Sequence, residues 1–390
     1  MRAGQIRYLV TSKSKGSHGM KKRFIVLIED DFEVKGNGLG DVADLQYLPG
    51  LALMNIAKKH DVKLTFMVDV AHQLTMTKYK HQRGVKIQKE LWDQTVKLMK
   101  ERGFDVQLHL HPQWLNAEYK DGFFFLSDDW NLGCYSAEQQ ELLISASTRY
   151  LKDLLQPDFP DYDICAFKAG SWGLQPSSNT LLTALKTHGI KIIMGVRDGL
   201  TIPGISVNYQ NLEEKYLPYY PDLDDVTRKS TSETGILMLP LQPYEPNLIT
   251  FSKLLLDRAK NKLRIPAAMK YQYDSPVPEA IYKLSPLTGK GKFRISLRPY
   301  STHLKIGNQP FSYLKDSFDA VINRLRPFED ERIPIVIESH TKQYHGYYEH
   351  VDRFLGYINE KYNDEVEFGD MISYSKELGG IKHARDAIEN

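Results

Sequence analysis

Residues 24–33 read FIVLIEDDFE, an apolar run that passes directly into a group of carboxylates. The run FIVLI (24–28) is apolar at every position, which indicates a strand buried on both faces, as in a parallel sheet covered by helices. The acidic residues that follow are Glu29, Asp30, Asp31 and Glu33. Ionised carboxylates this close raise one another's pKa. Their position therefore predicts either a bound cation or an exposed acidic loop.

The rest of the chain alternates short apolar runs with segments of helical period, which predicts an α/β fold built on a parallel sheet. We expect a distorted (β/α) barrel of seven or eight strands with long loop insertions, and an open doubly wound sheet is the alternative. The predicted later strands are KLTFMV (63–68), DVQLHL (105–110), YDICAFKAG (162–170), IKIIMGV (190–196), ILMLPL (236–241), KFRISL (292–297), IPIVIES (333–339) and EVEF (365–368). The predicted helices cover 51–60, 89–103, 137–155, 177–189, 347–361 and 371–378.

We expect one barrel over residues 22–380. Residues 1–21, which include GSHGM (16–20), are set aside as an N-terminal extension, either disordered or left from an expression tag. The stretches 198–232 and 265–291 are rich in proline and lack periodicity, so we predict that they are loop insertions in the barrel rather than domain linkers.

Composition limits the classes of function. The formal net charge is +2 and the basic residues are dispersed, which argues against a nucleic-acid partner. The chain has two cysteines; Cys165 lies in an apolar run, where a buried thiol is expected. No apolar run reaches the roughly 18 residues of a membrane helix, and the N-terminus lacks a signal-peptide pattern. We therefore expect a cytoplasmic protein without a membrane partner, while the oligomeric state stays open.

The segment QLHLHP (107–112) places two histidines on one face of a predicted strand. Paired imidazoles at a strand end commonly hold Zn²⁺ or a similar ion. His109 and His111 would share the carboxyl edge of the sheet with the acidic residues after the first strand, where barrel enzymes keep their active sites. The combination predicts a divalent metal site.

Two later motifs end predicted strands at the same edge. FKAGSWG (167–173) carries Lys168, either solvated or paired with a carboxylate, and glycines that permit close backbone approach. ESHTK (338–342) carries Glu338 and His340. A serine nucleophile elbow and the Gly-x-Gly-x-x-Gly and P-loop patterns do not occur, and GNGLG (36–40) fits neither glycine-rich spacing.

The order of these motifs resembles the polysaccharide deacetylase family over roughly residues 22–375. The matching segments are IEDD (28–31), LHLHP (108–112), FKAGSWG (167–173) and ESHTK (338–342), and KLTFMVDVAHQL resembles the family's second strand. The resemblance implies a metal-dependent hydrolase of carbon–nitrogen bonds other than peptide bonds, which removes an acetyl group from a sugar.

Carried over by position, the family roles make Asp30 the general base, Asp31 and His109 metal ligands, and His340 the acid. Gln113 stands where the family has its second metal histidine, so we expect His111 to replace it.

Lys168 replaces the family's arginine, which keeps the charge and loses the bidentate fork. Glu33 is a second candidate for base or ligand. Trp114 and Trp172 lie next to these motifs and are expected to stack on the substrate.

We thus expect a deacetylase that depends on a divalent metal, with Zn²⁺ favoured, and acts on an intracellular glycan precursor. One alternative is a glycoside hydrolase that uses Asp31 and Glu338 as paired carboxylates and needs no metal. Another is an inactive carbohydrate-binding barrel. An amidohydrolase is less favoured, because its His-x-His pair usually lies on the first strand.

Overall fold

An eight-stranded parallel sheet forms the centre of the computed structural model, which describes residues 22–38, 40–263, 302–329, 332–344 and 347–378. Its strands follow the apolar runs of the sequence, and most of their residues are buried. In chain order they are β1 (Phe24–Phe32), β2 (Thr65–Asp69), β3 (Asp105–Leu110), β4 (Ala166–Ala169), β5 (Ile192–Met194), β6 (Leu237–Leu239), β7 (Ile333–Ser339) and β8 (Val366–Gly369).

Helices connect these strands and cover the outside of the sheet. They are α1 (Leu48–Lys59), α2 (Val70–Lys78), α3 (Arg83–Glu101), α4 (Ala137–Leu155), α5 (Ser178–Thr187), α6 (Leu248–Leu263), α7 (Phe311–Leu325), α8 (Tyr348–Lys361) and α9 (371–378). The start of α4 shows how the sequence sets a boundary. Ser136 and Gln139 form a reciprocal capping box, which satisfies two backbone N–H groups of the first turn.

The strand order confirms the predicted (β/α) barrel. Neighbouring strands run β6-β5-β4-β3-β2-β1-β7, and β8 pairs with the first half of β1. The order follows the chain in one direction from β1 to β6, whereas a doubly wound sheet reverses direction at a switch point. The barrel is nearly closed, with β6 and β7 as its two ends.

A buried side chain bridges the two ends of the sheet, β6 and β7, which do not pair with each other among the described strands. Gln242, just after β6, is buried; its Nε2 donates to the carbonyl oxygens of Pro334 (3.0 Å) and Tyr216 (3.1 Å). The N–H of Val336 in β7 donates to Gln242 Oε1 at 3.1 Å. One glutamine therefore satisfies backbone groups that strand pairing would otherwise occupy.

Alternation along β1 separates two buried regions. Ile25 and Leu27 belong to an apolar cluster inside the barrel, whereas Val26 and Ile28 belong to the larger cluster between the sheet and the helices. Met371 of α9 closes the interior cluster at the amino ends of the strands. The interior is therefore apolar at its base, and the polar residues of β1 lie toward the carboxyl edge.

Several sequence predictions match the structure closely. Strands 105–110 and 333–339 and helix 137–155 have the predicted bounds, and the Cys165 thiol is buried. Helices α2, α6 and α7 were not predicted. The stretch 198–232 contains a hairpin of Leu200–Ile202 and Val207–Tyr209. The predicted extension 1–21, insertion 265–291 and strand 292–297 lie outside the described residues, and the domain bounds stay a prediction. Among the described helices, none is long and apolar enough to span a bilayer.

We predict that Gln242→Leu lowers the free energy of unfolding by roughly 2–4 kcal/mol, because it leaves buried backbone groups of the seam without partners. Urea unfolding followed by circular dichroism measures the change. Gln210→Leu is the control, since Gln210 is exposed and its replacement should change stability by less than about 0.5 kcal/mol. Equal stability of the two variants would contradict a structural role for the amide bridge.

Candidate metal centre

Strand alternation divides the four carboxylates of the first motif into two groups. Glu29 and Asp31 lie on the same face of β1 as Ile25 and Leu27, so their side chains point into the barrel. Glu33, just past the strand, lies on that face too. The predicted residues Asp31, Glu33, His109, His111, Lys168 and His340 come together at the carboxyl edge of the barrel. Asp30 does not join them.

A buried lysine occupies the middle of the barrel. Lys168 Nζ lies 2.6 Å from Glu29 Oε1, 2.9 Å from Asp31 Oδ2 and 3.2 Å from Glu338 Oε2. Burial opposes the ammonium charge, but the three carboxyl groups outweigh burial and raise the pKa of Lys168 well above its usual range. Lys168 is therefore a paired internal cation rather than a solvated strand end.

The three acids around Lys168 differ in how readily they ionise. Burial raises the pKa of Glu29 well above its usual range, against the opposing effect of Lys168. Asp31 and Glu338 have lowered pKa values, because nearby cations outweigh their burial. Lys305 supplies the second cation, 2.9 Å from Glu338 Oε1. With Glu29 neutral, two carboxylates face two ammonium groups.

Above this cluster, Glu33 meets both histidines of the His-x-His motif. His111 Nε2 contacts Glu33 Oε2, and His109 Nε2 lies 3.6 Å from the same oxygen. All three side chains are buried, and their candidate ligand atoms lie within 4.8 Å of one another. Lys342 pairs with the other oxygen of Glu33. The carboxylate nearest the two histidines is therefore Glu33, which the sequence offered as a second candidate ligand, and the metal-ligand role of Asp31 stays a prediction.

The histidine surroundings fit a metal site. His109 Nδ1 donates to the carbonyl oxygen of Lys168 at 2.9 Å, so Nε2 is the nitrogen that faces Glu33. Such a backbone partner on the second nitrogen is the usual orienting contact of a metal-bound histidine. Burial opposes the imidazolium, but Asp31 and Glu33 raise the pKa of His109 to about 9, so a metal at Nε2 would take the place of a proton. His109 Nε2 has no hydrogen-bond partner among the described residues. Two nitrogens and a carboxylate oxygen form a donor set that suits Zn²⁺.

Gln113 determines the hydrogen bonding of His111. Its Nε2 donates to His111 Nδ1 at 3.0 Å, so in this arrangement the His111 proton lies on Nε2, between the ring and Glu33. The backbone N–H of His111 donates to Asp69 Oδ1 at 3.1 Å. A metal bound by His111 Nε2 would have to displace that proton, as metal binding to histidine generally does.

A second group adjoins the first. His340 Nε2 lies 3.2 Å from Asp31 Oδ2 and 3.7 Å from Glu33 Oε1, and its Nδ1 lies 3.4 Å from Glu338 Oε1. Burial, together with the charge of Lys305, lowers the pKa of His340 to about 3. The ring is therefore neutral near pH 7 and can exchange a hydrogen bond with Asp31.

Asp30 points to the opposite side of β1, toward the helices. Ser339 Oγ donates to Asp30 Oδ2, and Ser339 Oγ lies 2.7 Å from the hydroxyl of Tyr344. Burial raises the pKa of Asp30 to about 7, despite the opposing hydrogen bond from Ser339. The role of Asp30 as general base stays a prediction, and this placement does not favour it.

A cavity of about 200 Å³ opens over these groups, and the two predicted substrate-binding tryptophans differ in their relation to it. Trp172 lines the cavity, carried there by two consecutive residues of positive φ, Ser171 and Trp172. Gly170 permits this path, since a Cβ there would lie 2.7 Å from His111 Nδ1. Trp114 is buried and lines a separate cavity.

Several residues of this centre were not predicted from the sequence, among them Lys305. Glu29 was not assigned a role, although its period-two spacing from Asp31 and Glu33 places all three on one side of the strand. Lys342 belongs to the motif ESHTK, but it lies in the 3₁₀ turn Thr341–Gln343 after the strand, so strand alternation does not place it. Trp130 lines the cavity from a distant loop, and no local sequence signal points to it.

No family model matches the chain, and no curated protein matches it. Among solved structures it is similar to a protein assigned as a polysaccharide deacetylase from Mycobacterium smegmatis, with 11% identity, 95% of this chain and 96% of that chain covered, and a TM-score of 0.48. A probable polysaccharide deacetylase from Pseudomonas aeruginosa PAO1 shows 13% identity, coverage of 91% and 90%, and a TM-score of 0.43. The chain is also similar to the Puue allantoinase, with 11% identity, 92% of this chain and 91% of that chain covered, and a TM-score of 0.45.

We predict that Asp30→Asn changes how stability depends on pH. With a folded pKa near 7 and an unfolded pKa near 4, the wild-type side chain binds an extra proton in the folded state between these values. Its contribution to stability is therefore present below about pH 4 and is lost as pH rises to about 7, by about 4 kcal/mol. The asparagine variant lacks this loss.

Denaturant unfolding of both proteins from pH 4.5 to 8 tests this. The unfolding free energy of the variant minus that of the wild type should increase with pH. Parallel curves would show that Asp30 ionises normally in the folded protein.

Proposed function

We propose that the protein is a metal-dependent hydrolase that removes an acyl group, most simply acetyl, from the nitrogen of an N-acylated sugar. The observation that supports it is a buried cluster of Glu33, His109 and His111 at the carboxyl edge of the barrel. The cavity beside this cluster is also lined by Asp31 and His340. We infer that Glu33, His109 and His111 hold a divalent ion, with Zn²⁺ favoured by the two imidazoles.

The bound ion would polarise the acyl oxygen and lower the pKa of a coordinated water. Asp31 is our candidate for the general base that takes a proton from the attacking water. Its burial opposes ionisation, but Lys168 and the protonated His109 lower its pKa below the usual value, so Asp31 is ionised and ready to accept a proton. Lys168 also holds the carboxylate in place through its contact with Oδ2.

His340 is the candidate donor to the leaving amine. A hydrogen-bond distance of 3.2 Å separates its Nε2 from Asp31 Oδ2, so a proton collected by Asp31 can return through the imidazole. Glu338, near Nδ1, orients the ring. These assignments move the base from Asp30 to Asp31, and the ligand from Asp31 to Glu33, relative to the roles that the motif resemblance implies.

The sugar substrate class rests on the order of the sequence motifs and on the walls of the cavity. Trp130 and Trp172 both line it, and aromatic rings of this kind stack well on the apolar faces of sugars. A glycoside hydrolase that uses Asp31 and Glu338 is less favoured, because Glu338 is fully buried between Lys168 and Lys305 and does not line the cavity.

We predict that Glu33→Gln greatly weakens zinc binding, because the neutral amide is a poor ligand and leaves the histidines without their shared carboxylate. Metal analysis after dialysis and competition with a fluorescent chelator should show an affinity loss of at least about tenfold to a hundredfold. Asp30→Asn is the matched control, since that carboxylate belongs to the same strand and faces the other side. Equal metal content in Glu33→Gln and the wild type would refute the ligand assignment.

We predict that Asp31→Asn retains zinc and loses turnover by roughly 10²–10⁴-fold, the usual contribution of a general base. Acetate release from an N-acetylated oligosaccharide, measured with the zinc-loaded protein, tests the effect. A full loss of turnover in Asp30→Asn with an active Asp31→Asn would return the base to Asp30. Zinc binding by the wild type without release of acetate from any N-acetylated sugar would instead favour the inactive binding barrel.

A further inference from the structure

The proposed reaction assigns no role to Lys342, which lies two residues after His340 in the 3₁₀ turn Thr341–Gln343. The N–H of Gln343 donates to the carbonyl oxygen of His340 at 2.9 Å, and the next residue, Tyr344, is fully buried. The backbone that carries Lys342 is therefore held against the end of the barrel, next to the candidate proton donor.

The side chain of Lys342 reaches from this turn to the end of β1. Its Nζ lies 2.5 Å from Glu33 Oε1, while the other oxygen of that carboxylate, Oε2, faces the two histidines. One carboxylate group therefore separates the ammonium from the position at which Glu33, His109 and His111 would hold an ion. Lys342 also lines the cavity above this position.

Lys342 has a hydrogen-bond donor to spare, unlike the deeper lysine of the site. An ammonium group carries three N–H donors. Lys168 has three carboxyl groups for its three donors, and its side chain is 1% exposed. The partners of Lys342 Nζ among the described residues are Glu33 and, at a long 3.5 Å, the carbonyl oxygen of Val34, and its side chain is 15% exposed. At least one N–H group of Lys342 is therefore available to a molecule in the cavity.

The charges of the cavity wall favour an anion once an ion is bound. The described lining residues include two carboxylates, Asp31 and Glu33, and two ammonium groups, Lys168 and Lys342. These four charges balance, so the two positive charges of a divalent ion would have no counterpart in the wall. Positive charge and N–H donors that are already in place where an oxygen becomes negative lower the barrier of acyl transfer.

We propose that Lys342 is a catalytic residue of the hydrolysis, which donates a hydrogen bond from Nζ to the acyl oxygen as that oxygen becomes negative. This inference rests on the proposed function. When the water oxygen bonds to the acyl carbon, Asp31 takes a water proton and the carbonyl electron pair moves onto the acyl oxygen. When the carbon–nitrogen bond breaks, that pair re-forms the carbonyl. His340 gives the leaving amine a proton, which Asp31 restores to the ring, and Lys342 keeps its own protons throughout.

Titration calorimetry of the zinc-loaded chain with methylphosphonate tests the donor without turnover. This probe is a tetrahedral anion that carries a methyl group, like the acetyl carbon after water has added. We expect one methylphosphonate per chain, bound at least about tenfold more weakly by Lys342→Met, since a hydrogen bond to a charged group is lost. Lys35→Met is the matched control: Lys35 is an exposed lysine just after β1, so its loss removes the same charge. It should bind the probe as the wild type does.

Turnover of an N-acetylated oligosaccharide gives the second readout. Lys342→Met should lose roughly 10²–10³-fold in kcat, the usual effect of removing one oxyanion donor, with little change in KM. Lys342→Arg keeps the charge and N–H donors, so it should recover part of this loss. The zinc content of all variants should equal that of the wild type, because Glu33 Oε2 and the two histidines remain. If Lys342→Met does not fold, Lys342→Gln removes the charge and keeps a polar partner for Glu33.

Three results would overturn the role of Lys342. They are zinc-loaded wild type that does not bind methylphosphonate, a zinc-loaded Lys342→Met that binds the probe and turns over as the wild type does, and a Lys342→Met that loses its zinc, which would show that Lys342 acts by holding Glu33. Failure of the proposed function looks different. A wild type that binds zinc and releases no acetate contradicts the hydrolase, while the methylphosphonate comparison still decides whether Lys342 receives an anion. A wild type without zinc overturns both.

Discussion

A lysine ammonium buried at the centre of the barrel holds together the carboxyl groups beneath the candidate site. Lys168 contacts three carboxyl groups from two other strands, so the ends of β1, β4 and β7 are tied at one point. Removing a cation from such a cluster would leave buried carboxylates unpaired, which is far more costly than losing a surface ion pair. The same contact orients Asp31 toward the cavity, so the stability of the barrel centre and the geometry of the site share one interaction.

The sequence was most informative where local pattern and tertiary packing agree. Strands 105–110 and 333–339 are apolar runs of strand length, and α4 carries its own capping signal in Ser136 and Gln139. Helix α2 was missed because it follows β2 without a loop and its sequence VAHQLTMTK has little amphipathic periodicity. Its position depends on packing against other elements, which a single sequence does not reveal.

The location of the site could be predicted from the sequence, but the role of each residue in it could be predicted less well. Parallel strands bring their carboxyl ends to one edge, so the meeting of Glu33, His109 and His340 follows from the order of the elements. Strand alternation already indicated that Asp30 and Asp31 point to opposite sides, whereas the motif order favoured Asp30 as base. The pairing of Lys168 with Glu29 and Glu338 depends on how the strands close, and local sequence carries no sign of it.

The glutamine bridge at the seam has a consequence for how this barrel can change over time. A complete hydrogen-bonded ladder between β6 and β7 would fix the circumference of the barrel. A segment inserted between these strands would then have to begin and end in short loops. Here the chain departs after β6 and re-enters at β7. The Gln242 amide spans the gap together with a short backbone bridge, in which Glu338 of β7 bonds the backbone of Leu304 and Ile306. At an opening of this kind, evolution can lengthen, shorten or replace the segment between β6 and β7 while the other strand pairs stay unchanged.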